Sequence, residues 1–84
     1  MEEKQLGVID DFFGRVGVIA LKLEDTVKVG DTIHIKGHTT DISMAVASMQ
    51  IDNKPVQEAK KGDSIGIKIE GRARKGDVVY RVIP

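Results

Sequence analysis

Eighty-four residues, 40% of them hydrophobic and 31% charged, predict one globular domain over residues 1–84. Thirteen basic residues balance thirteen acidic ones, so any nucleic-acid contact must come from a local patch rather than from net charge. The lack of cysteine excludes disulfides and thiolate metal sites; the polar start MEEKQLG and the absence of a run of ~20 apolar residues predict neither a signal peptide nor a membrane helix, so the expected location is cytoplasmic.

Val8 to Phe13 reads as a first strand, and Gly14 and Gly17 mark a turn after it. Val16 to Leu23 is apolar on both strand faces: Val16, Val18 and Ala20 on one, Ile19, Leu21 and Leu23 on the other. Such a strand suits a wall covered outside by a loop or a partner; a short buried helix is the competing reading. Thr32 to Lys36 alternates cleanly, with Ile33 and Ile35 inward and His34 and Lys36 outward. Thr39 to Met49 reads as one longer strand whose apolar phase shifts after Val46, which predicts a β-bulge near Ser48.

Asp52-Asn53-Lys54-Pro55 is a turn cluster, because Asn tolerates left-handed angles and Pro cannot donate to a ladder. Ile65, Ile67 and Ile69 then alternate with Ser64, Gly66 and Lys68. Arg72 to Lys75 is a basic loop, and Val78 to Ile83 closes the chain with Val78, Tyr80 and Val82 on one face. A basic-x-Gly-Asp turn recurs before three strands: Lys28 to Asp31, Lys60 to Asp63 and Arg74 to Asp77. Its expected form has Gly at positive φ and Asp bonding nearby backbone amides. Short strands, many turns and no 3.6-residue period predict an all-β class. A small closed, antiparallel, six- to seven-stranded barrel is the expected architecture, with a two-sheet sandwich as alternative.

The hairpin residues Val46-x-Ser48-Met49-Gln50, Lys54-Pro55-Val56, Glu58-Ala59, Gly62-Asp63 and Ile65-Gly66 resemble the second, β-barrel domain of translational GTPases such as elongation factor Tu and initiation factor 2. Val27 to Gly37 resembles the preceding strand pair of that domain. The resemblance implies a stand-alone, elongation factor-like barrel without catalysis, acting in translation through contact with RNA, either a tRNA end or the ribosome. Related barrels also occur at the C-terminus of a collagenase-like peptidase family. The phosphate-binding sequence G-x-x-x-x-G-K-[ST] is absent: Asp77 and Val78 follow Gly71 to Gly76 where Lys and Ser/Thr are needed, so neither GTPase activity nor a bound nucleotide is expected.

The residues offer two sites. Arg72, Arg74 and Lys75, extended by Lys36 and Lys68 and by Arg81, form a candidate RNA-binding patch, since such side chains neutralise phosphates; a solvated loop is the plainer reading. The apolar face of Val16 to Leu23 is a candidate protein-docking surface, which would make the chain an accessory module of an enzyme or peptidase-type partner. His34 and His38, four apart on a strand and its exit, lie ~13 Å apart and share no metal ion. Adjacent carboxylates Asp10-Asp11 and Glu24-Asp25 point to opposite faces and form no acid–base couple. Met44 and Met49 read as core filling or as an adaptable docking surface. No cofactor and no catalytic residue are expected.

Overall fold

The computed structural model describes residues 2–83. Ten strands run in chain order: β1 Glu2–Phe13, β2 Val18–Lys22, β3 Val27–Lys28, β4 Thr32–Lys36, β5 Asp41–Ala45, β6 Met49–Ile51, β7 Lys54–Val56, β8 Glu58–Ala59, β9 Ser64–Lys68 and β10 Val78–Ile83. Eight form one antiparallel sheet in the order β5-β4-β10-β1-β2-β9-β6-β7, and β3 pairs with β8. The all-β class is as expected. Closure is not: the ladder begins at β5 and ends at β7 with no pairing between them, so the sheet curls into an open half-barrel.

β1 is the hinge of this curl. It starts six residues earlier than its apolar pattern predicts, because its first half pairs with β10 and its second half with β2. Two register shifts, one between Gln5 and Gly7 and one between Ile9 and Asp11, bend it between the two partners. Gly7 is needed at the bend by close approach: a Cβ there would stand 2.6 Å from the carbonyl oxygen of Lys22.

The predicted bulge near Ser48 is instead a break. β5 pairs with β4, whereas β6 pairs with β9 and β7, so residues 46–48 carry the chain from one end of the sheet to the other. The apolar phase shift reflects this change of partner. Asp52 and Asn53 both take positive φ, the two-residue turn that a tight hairpin between β6 and β7 demands. Lys54 and Pro55, expected within that turn, belong to β7.

The three basic-x-Gly-Asp turns share one geometry. Gly30, Gly62 and Gly76 have φ near +95° to +98°. The Asp backbone N–H donates back three residues, and its carboxylate accepts the N–H of the basic residue: Lys28 to Asp31 at 2.9 Å, Lys60 to Asp63 at 2.8 Å and Arg74 to Asp77 at 2.9 Å.

The core is made by the inward residues of the alternating strands. Leu6, Ile9, Ile19, Leu21, Ile33, Ile35, Met49, Ile67 and Val79 are all essentially inaccessible to solvent. In β10 the core side is therefore the Val79 side and not that of Val78, Tyr80 and Val82. Asp25 ties the segment before β3 to β1 and β10: its carboxylate accepts the Thr26 N–H at 2.7 Å and faces Lys4 at 3.2 Å and Arg81 at 3.7 Å. Among the described residues no helix is long and apolar enough to cross a membrane.

Candidate functional site

The outer face of β2, β9 and β6 carries a groove of about 470 Å³. Its floor follows from strand parity. Ile19 and Leu21 turn into the core, so Val18 and Ala20 must turn out, and Ala20 pairs across the ladder with Gly66. Two small residues side by side leave a depression. Phe13 and Val16, 49% and 60% exposed, form its apolar wall, and Gln50, Asp52 and Asn53 supply a polar rim. The two-faced apolarity of Val16 to Leu23 thus resolves into a strand with one buried face and one open face, which no described residue covers.

The predicted RNA-binding residues are less united. Arg72, Arg74 and Lys75 lie on the loop from β9 to β10, anchored by buried Ala73 and by the turn at Asp77. Arg72, Arg74, Lys75 and Lys68 are exposed and form no ion pair among the described residues. Lys36 is partly neutralised, 3.7 Å from Glu3, and its ammonium sits 5.9 Å from the centre of the Tyr80 ring. Arg81 does not join the patch. Its guanidinium donates to the Thr26 carbonyl and faces Asp25, because β10 parity turns it toward the opposite face from Tyr80.

His34 bridges two carboxylates, with Nδ1 2.6 Å from Glu3 and Nε2 2.5 Å from Asp41. Both ring nitrogens donate when the imidazole is protonated. The Asp41 and Glu3 hydrogen bonds accordingly raise the His34 pKa, and the His34 hydrogen bond lowers that of Glu3. Ser43 lies opposite His34 in the ladder, but neither imidazole nitrogen is left to accept its proton. Sequence reasoning placed His34 on the surface without its partners: Glu3 is 31 residues away, and no local pattern signals that distance. Met49 is core, and Met44 is half-buried beside Glu70.

No protein-family model matches the chain. Over 77 residues, 90% of this chain, it is 42% identical to an uncharacterized protease of Methanocaldococcus jannaschii. A collagenase of Porphyromonas gingivalis is 32% identical over 72 residues, 83% of this chain. Its relatives are named as proteases. The solved structures agree in fold. The C-terminal domain of a Geobacillus thermoleovorans protein assigned to the U32 peptidases superposes with a TM-score of 0.87 over 95% of this chain and 93% of that one, at 8% identity. A second structure of that domain gives 0.84 over 90% and 96%. The resemblance to the second domain of translational GTPases is thereby overturned, and with it the expected role in translation. The motifs that carried it are turn and strand signals, which this half-barrel needs for its own folding. The chain spans about one fifth of the length of the curated relatives it matches: 19% of the archaeal protease and 20% of the collagenase.

Proposed function

We propose that the chain is a non-catalytic accessory module of a peptidase-type protein, docking on its catalytic body through the groove over Val18, Ala20 and Gly66. The observation that carries this reading is the 42% identity to a segment that makes up only 19% of a protease. The remaining four fifths of that relative have room for a catalytic unit, and this chain folds like the C-terminal domain of a protein assigned to the U32 peptidases. The groove supplies the surface: an apolar centre with a polar rim is the usual anatomy of a protein interface. With both His34 nitrogens held by carboxylates, neither is left to activate the neighbouring Ser43.

The test is binding in trans. The M. jannaschii relative is produced without its matching segment, and the chain is titrated into it by calorimetry. Saturable binding that weakens at least tenfold in Ala20→Arg is the expected result. Binding unaffected by Ala20→Arg would move the interface elsewhere. Protein hydrolysis by the purified chain alone, surviving repurification, would overturn the non-catalytic reading.

A further inference from the structure

The half-barrel has two sheet edges, and they are not alike. At one edge the β6–β7 hairpin turns on Asp52 and Asn53, so Ile51 and Lys54 form its first hydrogen-bonded pair. Hydrogen-bonded pairs alternate in an antiparallel ladder, which turns the backbone of Pro55 outward. Proline has no N–H, so that edge presents no donor at its centre and is blunted against pairing.

At the other edge β5 carries no such block. Two backbone bonds bracket the β4–β5 ladder: the Gly37 N–H donates to the Thr40 carbonyl at 2.8 Å, and the Val46 N–H to the Asp31 carbonyl at 2.8 Å. With the register Thr32↔Ala45 to Lys36↔Asp41, alternation assigns the inward bonds to Met44 and Ile42. Asp41, Ser43 and Ala45 therefore aim their N–H and C=O groups away from the sheet. No backbone partner meets them among the described residues.

This edge opens on a groove of about 440 Å³. Ser43, Met44 and Ala45 line one side, and Lys68, Ile69 and Glu70 line the other. The far wall also holds an ill-satisfied donor. The Glu70 N–H has the Met44 thioether as its acceptor, at 3.4 Å, and sulfur is a weak acceptor. Half-buried Met44 is flexible enough to move aside.

We propose that this seam binds one extended polypeptide strand, which adds to β5 by main-chain hydrogen bonds. The chemistry of the occupant follows from the edge. Outward N–H and C=O groups at every second residue are met by an extended backbone and by no compact ligand. The five residues of β5 span about 14 Å, so a five-residue segment fills it. Alternation places every second side chain of that segment over Met44 and Ile69, where it must be apolar; the others face water and are polar. A second copy of this chain does not fit as well. It would bring its own β4 behind its β5, into the space taken by Lys68 to Glu70, whereas a lone strand brings nothing behind it. The seam and the Val18–Gly66 groove share β9 but no lining residue, and the seam's pairing edge is β5, so it goes beyond the docking reading and fails or stands independently of it.

The experiment uses the isotope-labelled chain and a capped five-residue peptide alternating threonine and valine. On saturation, amide exchange at Ser43 and Ala45 is expected to slow at least tenfold, with Ile42 and Met44 unchanged. Two further peptides are N-methylated in alternate phases. One phase removes the N–H groups that face β5 and is expected to bind at least tenfold more weakly; the other binds like the parent. Because these changes sit on the peptide, the chain's folding is untouched. Equal binding of both phases, or shifts centred on Val18 and Ala20, would overturn the proposal. So would slow exchange at Ser43 and Ala45 that grows with protein concentration alone, which would make the edge a contact between copies.

Discussion

Gly66 of β9 lies against Val18 of β2: a Cβ added at Gly66 would stand 3.1 Å from Val18 Cγ1. The close approach is tight without being forbidden, and Val18 is half-exposed and free to shift outward. Gly66→Ala should therefore change stability by less than about 1 kcal/mol, since the added crowding and the reduced freedom of the unfolded backbone oppose one another. The same methyl raises the floor of the groove. Calorimetric titration against the truncated archaeal relative should show weaker binding at nearly unchanged Tm; unchanged affinity would remove Gly66 from the interface.

Gly7 behaves differently, because its obstacle is backbone. A Cβ at Gly7 meets the Lys22 carbonyl at 2.6 Å, and that carbonyl cannot retreat without disturbing the chain that leads β2 toward Leu23. Gly7→Ala should cost about 1–3 kcal/mol, the usual penalty for overpacking. Urea unfolding measures it directly. A midpoint equal to that of the parent chain would show that β1 does not need its bend.

The three Asp turns have one geometry and unequal surroundings. Asp31→Ala and Asp63→Ala each remove an exposed carboxylate-to-amide bond and should cost about 1 kcal/mol. Asp77 is only 7% exposed and is wedged against Gly37, where a Cβ would overlap its carboxylate. Asp77→Ala leaves the Arg74 N–H without its partner in a part-buried site and should be the most destabilising of the three. Equal midpoints for all three variants in urea would contradict this order.

His34 gives the fold a pH dependence with a definite sign. Its pKa is raised by Asp41 first and Glu3 second, so its stabilising effect is complete below the ordinary histidine value of 6.5 and is lost as pH rises through the raised value. The Glu3 pKa is lowered chiefly by His34, so the Glu3 effect is present above the ordinary value of 4.5 and is lost as pH falls through the lowered one. The clip linking β1, β4 and β5 is thus strongest between pH 4.5 and 6.5. In thermal unfolding, His34→Gln should lose most relative to the parent inside that window and least above it. A difference that grows from pH 6 to 9 would reverse the assignment.

How much of this was legible in the chain depends on how local each cause is. A turn is decided by four residues. The basic-x-Gly-Asp sequence and Asn53 therefore announced their positive-φ geometry, and Ile33 and Ile35 announced their core face by alternation alone. The alternation also separated Val18 and Ala20 from Ile19 and Leu21, but with both faces apolar only the structure showed which one turns outward. Partners across the sheet were not. The Glu3–His34 contact, the turning of Arg81 toward Asp25 and the division of one predicted strand into β5 and β6 all join residues far apart in sequence.

The sequence by itself determined an all-β chain, its basic-x-Gly-Asp turns, and the core faces of the cleanly alternating strands β4 and β9, because backbone sterics and the two-residue period act within a few residues. Only the tertiary structure decided that the sheet stays open, that Pro55 blunts one edge, and that Ser43 and Ala45 leave the other unpaired. Closure depends on register and curvature summed over eight strands, and no single stretch of the chain encodes that sum.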